Sequence, residues 1–232
     1  MMSETNRKEV DWQAQAAAWE LMALAFRLPD KVLAKAVSSG EWRDAALELT
    51  DVLGVGLPEG WDEGLDAALS READSLMHEL RVEHTHLFLG APDPVVSPYE
   101  GVWAAMDDGV QPLLFVNPKS MAVERFIKAC GLGRPKDSNE PLDFVATECE
   151  LLEYLALLAG GFAETPENSR TFESFPGGSA SAAYTEFLTE HATYWLPRFA
   201  DAVIAKSRIP FYRSAAQMLK ALVPQCAQTA YA

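Results

Sequence analysis

Residues 140–158 read EPLDFVATECELLEYLALL, and this stretch decides the fold. Pro141 suits a helix entrance, where a missing amide hydrogen costs little, and Asp143 is a candidate cap that accepts from first-turn amides. Behind them Leu151, Leu152, Leu155 and Leu158 recur at the steps that line one face of an α-helix. The same period opens the chain, where Trp12, Ala16, Trp19, Ala23 and Phe26 run up to a stop at Pro29 and Asp30. Composition agrees: 35 Ala and 27 Leu against 18 Val plus Ile favour helix, because unbranched side chains lose less rotamer freedom there.

The fold expected is all-α, a compact helical bundle, with helices near 10–28, 31–38, 41–53, 62–89, 119–130, 142–163, 179–207 and 211–223. Three stretches rich in Gly, Pro or Asp resist the helical reading: 54–60, 90–98 and 131–141. The last reads as a hinge inside a single domain of residues 1–232, between an N-terminal subregion of about 1–130 and a C-terminal one of about 142–232.

Lys plus Arg total 19 against 34 Asp plus Glu, a net charge of −15, which opposes nucleic acid and anionic lipid and favours a cationic partner. Apolar runs fall short of the roughly 18 residues of a membrane span, and residues 1–10 are polar with no signal-peptide core, so no membrane insertion is expected and the cytoplasm is the expected location. Cys130, Cys149 and Cys226 are an odd set without metal-ligand spacing and are expected as reduced, buried thiols. Phosphate-loop, dinucleotide and nucleophile-elbow motifs are missing from the sequence. His84 and His86 are two apart and point to different helix faces, which argues against a metal, and His191 among Phe187, Leu188, Tyr194 and Trp195 reads as a packed core histidine.

Two constellations remain. LRVEHTHLFLGAPDPVVSPYEGVW (80–103) starts as an amphipathic helix and ends by presenting Tyr99 and Trp103 four residues apart, where they either pack in the core or greet an apolar, cationic peptide. The second is 140–158 itself. Between Glu140 and Glu173 stand eight acids against one arginine. Asp143 is either an N-cap or an arginine ligand, and Glu148, at the edge of the leucine stripe, is placed to meet a guanidinium.

HLFLGAPDPVVSPYEGVW and EPLDFVATECELLEYLALL, followed in order by FLTEHATYWLPRFADAV (187–203) and PFYRSAAQMLKALV (210–223), closely resemble the TorD/DmsD/NarJ family of cytoplasmic redox-enzyme maturation chaperones. The resemblance implies an all-helical, non-enzymatic protein with no cofactor of its own. It would bind the twin-arginine signal, or an equivalent N-terminal segment, of a molybdenum-cofactor oxidoreductase subunit and hold that client for cofactor insertion before export or assembly. The family's hinge motif E-P-x-D-H appears as Glu140, Pro141, Leu142, Asp143, with Phe144 in place of the usual histidine. The peptide-binding set expected on this reading is Phe88, Tyr99, Trp103 and Phe144 for apolar contact and Glu140, Asp143 and Glu148 for charge, with Pro141 of the hinge motif beside them and Glu100 a weaker candidate. A monomer or a domain-exchanged dimer would both be compatible with the hinge. Two other classes stay open: a helical adaptor for a folded protein, and a metal-dependent hydrolase.

Overall fold

The computed structural model describes residues 10–90, 93–111, 117–134, 139–165 and 175–230. They form α1 (Trp12–Phe26), α2 (Lys31–Ser39), α3 (Glu41–Leu53), α4 (Ala73–Phe88), α5 (Glu100–Asp107), α6 (Pro118–Ala129), α7 (Val145–Ala159), α8 (Ala180–Phe187), α9 (Thr193–Lys206) and α10 (Pro210–Ala230). A short 3₁₀ turn, Leu65–Ala68, precedes α4, and a π-turn, Leu188–Ala192, joins α8 to α9. Among the described residues the nearest thing to a sheet is a single antiparallel bridge, Tyr99 with Phe144. None of the described helices is long and apolar enough to cross a membrane.

α1 is alanine-rich and buried on most of its circumference, so it lies centrally, against α7 and also against α3 and α10. Small side chains let the helix backbones approach, and Asp11 caps the first turn by accepting from the Ala14 amide at 2.9 Å. The leucine stripe of α7 faces α1 and α8. One apolar cluster runs from Ala14 to Cys226 and contains Trp19, Phe26, Phe88, Leu152, Trp195 and Tyr212. Each such side chain contributes about 1.5–3 kcal/mol through burial. Trp19 gives its indole hydrogen to the Tyr184 hydroxyl at 2.8 Å, which satisfies both polar tips in the interior. All three cysteines are free and buried.

Several elements differ from the sequence expectation. The helix expected over 62–89 is divided, because Gly64 and Ser70 both take positive φ (85° and 60°) and the Ser70 amide turns to the Ser38 carbonyl at 2.9 Å. The helix expected over 179–207 is interrupted by the π-turn one turn ahead of Pro197, a residue with no amide hydrogen for the preceding turn. α10 continues through Pro224 to Ala230, beyond the expected end at 223. α5 is a helix that periodicity did not announce. The expected non-helical stretches 54–60 and 131–141 carry no helix where described, residues 135–138 of the second lying outside the described set, as do residues 91–92 of the stretch 90–98.

Candidate functional site

The site grows from the bridge. The Glu100 amide donates to the Asp143 carbonyl at 3.1 Å and the Val145 amide to the Pro98 carbonyl at 2.9 Å, so the first turns of α5 and α7 start side by side. Asp143 does not cap its own helix; Phe144 holds that position and offers no side-chain cap. Its carboxylate instead accepts the Gly101 amide of α5 at 2.9 Å and the Ser120 hydroxyl of α6 at 2.5 Å. An anion there also meets the positive end of the α5 dipole. Gly101 is required by this clamp: a Cβ at that position would lie 2.1 Å from Ser120 Oγ and 3.0 Å from Asp143 Oδ2.

Outside the clamp, the Tyr99 ring leans on Phe144 with centroids 5.8 Å apart, and its hydroxyl donates to Glu140. Burial first, and then Glu140, push the Tyr99 phenol well above its ordinary pKa. Beyond Phe144 opens a cleft of about 350 Å³. Leu132, Leu142, Phe144 and Leu151 form its apolar wall, and Glu140, Glu150 and Arg27 its charged edge. Arg27 is turned to Asp30 at 3.3 Å. Burial holds the Glu150 carboxyl above its ordinary range, opposed by Arg27. One turn further along α7, burial, with Glu20 and Glu150 adding to it, raises Glu153 to about 7. The cleft is thus greasy on one side and carries two carboxyls on the other, beside one guanidinium that is turned to Asp30. That combination suits a guanidinium carried on an apolar segment.

The structure sorts the sequence-derived residues into three places. Glu140 and Phe144 line the cleft, with Tyr99 packed behind them. Phe88, Pro141, Asp143 and Glu148 lie inside: Phe88 stacks on Phe199 at 5.7 Å, and Glu148 accepts the Trp195 indole hydrogen at 2.9 Å. With 1% or less of their surface exposed, Phe88, Asp143 and Glu148 position other groups in this conformation and have no surface for a peptide. Trp103 stands apart. Its indole donates to the Ser97 carbonyl at 3.0 Å and its ring faces Arg198 at 5.3 Å. Arg198 in turn holds Asp107 by two bonds of 2.7 and 2.8 Å, and together with the Tyr194 hydroxyl it lowers Asp107 to about 2. The four-residue spacing of Tyr99 and Trp103 does not align their rings, because Tyr99 caps α5 with extended backbone and is not part of the helix.

Arg27, Leu132, Leu151 and Glu150 were not singled out as site residues by sequence reasoning. Arg27 and Glu150 come from helices far apart in the chain, and no local pattern announces their meeting. His191 is a packed histidine, stacked on Phe187 at 4.8 Å, yet its Nδ1 also bonds Glu100 at 2.8 Å. Neither Glu100 nor His191 reaches the cleft wall.

The family model described as the nitrate reductase delta subunit matches residues 55–201. Among curated proteins, the chaperone protein TorD of Vibrio cholerae El Tor is 26% identical over 163 residues, 70% of this chain and 66% of that protein. The TorD of another Vibrio cholerae strain, M66-2, is 25% identical over 63% of this chain and 60% of its own length. The match therefore spans a little under two thirds of these relatives. The Photobacterium profundum TorD is 24% identical over 70% of this chain and 68% of its own. In three dimensions the chain resembles a protein of Archaeoglobus fulgidus described as a redox enzyme maturation protein, with a TM-score of 0.51, 17% identity, and 94% and 97% of the two chains covered.

Proposed function

Since the chain belongs to the TorD/NarJ-type family described as the nitrate reductase delta subunit, matched over more than half its length, we propose that it is a chaperone for a redox-enzyme subunit. In this reading it binds the client's N-terminal segment, a twin-arginine signal or its equivalent. It then holds a molybdenum-cofactor oxidoreductase in the cytoplasm until the cofactor is inserted and export or assembly follows.

One observation carries the reading: the cleft beside the Tyr99–Phe144 bridge sets Glu140 and Glu150 against an apolar wall, in a chain of net charge −15. Two adjacent arginines followed by apolar residues present the complementary pattern. Planar guanidiniums pair with carboxylates in bidentate fashion, and the apolar residues gain from burial on Leu132, Phe144 and Leu151. Phe144, where relatives of this kind carry histidine, adds wall area in place of a hydrogen bond.

Fluorescence anisotropy with a labelled signal peptide tests the proposal. Each exposed charge contact is worth about 0.2–1 kcal/mol, so Glu140→Gln with Glu150→Gln should weaken binding by about 2- to 30-fold. Arg-Arg to Lys-Lys in the peptide should weaken it as well, because lysine lacks the planar fork. Unchanged affinity in the double variant at low and moderate salt would remove the cleft acids from recognition.

A further inference from the structure

Behind the bridge lie two glutamates that the cleft does not use. Glu100 on α5 and Glu148 on α7 are each 0% exposed. Glu100 is hydrogen-bonded to Nδ1 of His191, from the π-turn, at 2.8 Å, and Glu148 Oε2 accepts the indole hydrogen of Trp195, from α9, at 2.9 Å. The other oxygen, Glu148 Oε1, is buried and has no donor among the described residues, while the neighbouring acid is Glu100. A buried carboxylate oxygen without a donor is costly, and two adjoining carboxylates in a low-dielectric interior do not both ionise. A hydrogen on Oε1 resolves both problems, because the unpartnered acceptor becomes a donor to Glu100.

We infer that Glu100 and Glu148 share one proton, carried on Glu148 Oε1 and donated to the Glu100 carboxylate, and that this protonated pair is a positioning element fastening α5, α7 and the π-turn behind the Tyr99–Phe144 bridge. The other titratable groups facing it are Asp143 from the loop before α7, His191 from the π-turn and the neutral Cys149 thiol on α7. Trp195 of α9 contributes an uncharged donor, and Ser120 of α6 is spent on Asp143. Lys119 does not neutralise the pair, its ammonium reaching the Glu190 carbonyl at 3.4 Å. Burial, and after it the Glu100 charge, drive Glu148 well above the ordinary carboxylate range, in keeping with this arrangement. The inference is independent of what occupies the cleft.

A pKa raised on folding has a definite sign. The folded chain keeps a proton that the unfolded chain releases above the ordinary glutamate value of 4.5, so the pair's contribution to stability falls as pH rises from there toward the folded value. Glu148→Gln supplies the same donor and acceptor permanently. Urea unfolding of the full chain at a series of pH values, read by tryptophan fluorescence, separates the two. The folding equilibrium constant of E148Q should gain on wild type by up to about tenfold per pH unit above the ordinary glutamate value of 4.5, the gain levelling off as the folded value is reached. Parallel pH profiles would overturn the inference. Should E148Q fail to fold, carboxyl-carbon NMR of the glutamate-labelled Glu150→Gln, Glu153→Gln variant, which lacks the two other glutamates raised by burial, decides: one resonance held at the protonated position through pH 6 supports the shared proton, and every glutamate at the ionised position refutes it.

Discussion

Gly101→Ala perturbs the clamp that places the binding edge. The added methyl would stand 2.1 Å from Ser120 Oγ, 3.0 Å from Asp143 Oδ2 and 3.2 Å from Asn117 Cβ. The serine hydroxyl must swing away, which breaks its 2.5 Å bond to Asp143. A hydrogen bond to a charged group is worth about 1.5–3 kcal/mol, and residual crowding against Asp143 and Asn117 adds about 1 kcal/mol. Against this, alanine gains up to about 1 kcal/mol over glycine in helix propensity, less in a first turn. The net expectation is a loss of about 2–3 kcal/mol, seen as a lower urea midpoint with an unchanged slope. Ser120→Ala alone should cost about 1–2 kcal/mol, because Asp143 keeps the Gly101 amide. In the double variant the methyl occupies the space the hydroxyl vacated, so the loss should be close to that of Ser120→Ala alone, a coupling of about 2–3 kcal/mol. Strict additivity would refute the claim that Gly101 is glycine because Ser120 needs the room.

Other consequences follow the same chemistry. Asp30→Ala removes the cap that accepts the Leu33 amide at 2.9 Å and should cost about 1 kcal/mol in a urea melt. His84 is buried with its ring lowered to about 4, so the unfolded chain takes up a proton below about pH 6.5 that the folded chain refuses. Its contribution therefore falls by about 1.4 kcal/mol per pH unit on acidification between those values, and His84→Gln should flatten that limb of the stability profile. Its sign is opposite to that of Glu148, which makes the two separable by substitution. Burial raises Glu150 in the cleft, so an arriving guanidinium should draw a proton out. Peptide affinity should then rise with pH above the ordinary glutamate value of 4.5, with proton release detectable by calorimetry in buffers of different ionisation enthalpy.

Much of this architecture is local and therefore legible. The leucine stripe of α7 and the aromatic stripe of α1 announce helices because burial on one face imposes the 3.6-residue period, and Asp11 and Asp30 mark starts by their own cap bonds. α5 was not legible, since its eight residues are too few for a period and its first turn is stabilised by Asp143, from another part of the chain. Ser70 broke an expected helix through a tertiary bond to Ser38, whereas the π-turn only widens one turn of a run that stays helical from Ala180 to Lys206 and whose apolar pattern continues unbroken. The candidate site was legible in composition more than in geometry. Glu148 stands out as an acid on the edge of an apolar stripe, but a stripe does not say whether its edge faces water or Trp195. Phe88 is unambiguous as an apolar face residue and equally silent about groove or core. Glu140 and Phe144 do line the cleft, whereas Arg27 and Glu150 meet there only through the packing of α1 against α7.

Photo-crosslinking tests the cleft most directly. A client signal peptide carrying a photoreactive residue immediately after its arginine pair is irradiated with the full-length chain, and the attachment points are mapped by mass spectrometry. Attachment within residues 132–151, at Leu132, Phe144 or Leu151, and its loss in the Glu140→Gln, Glu150→Gln variant, is the expected result. Attachment around Trp103 and Arg198, or the same yield from a peptide with scrambled sequence, would contradict recognition in the cleft.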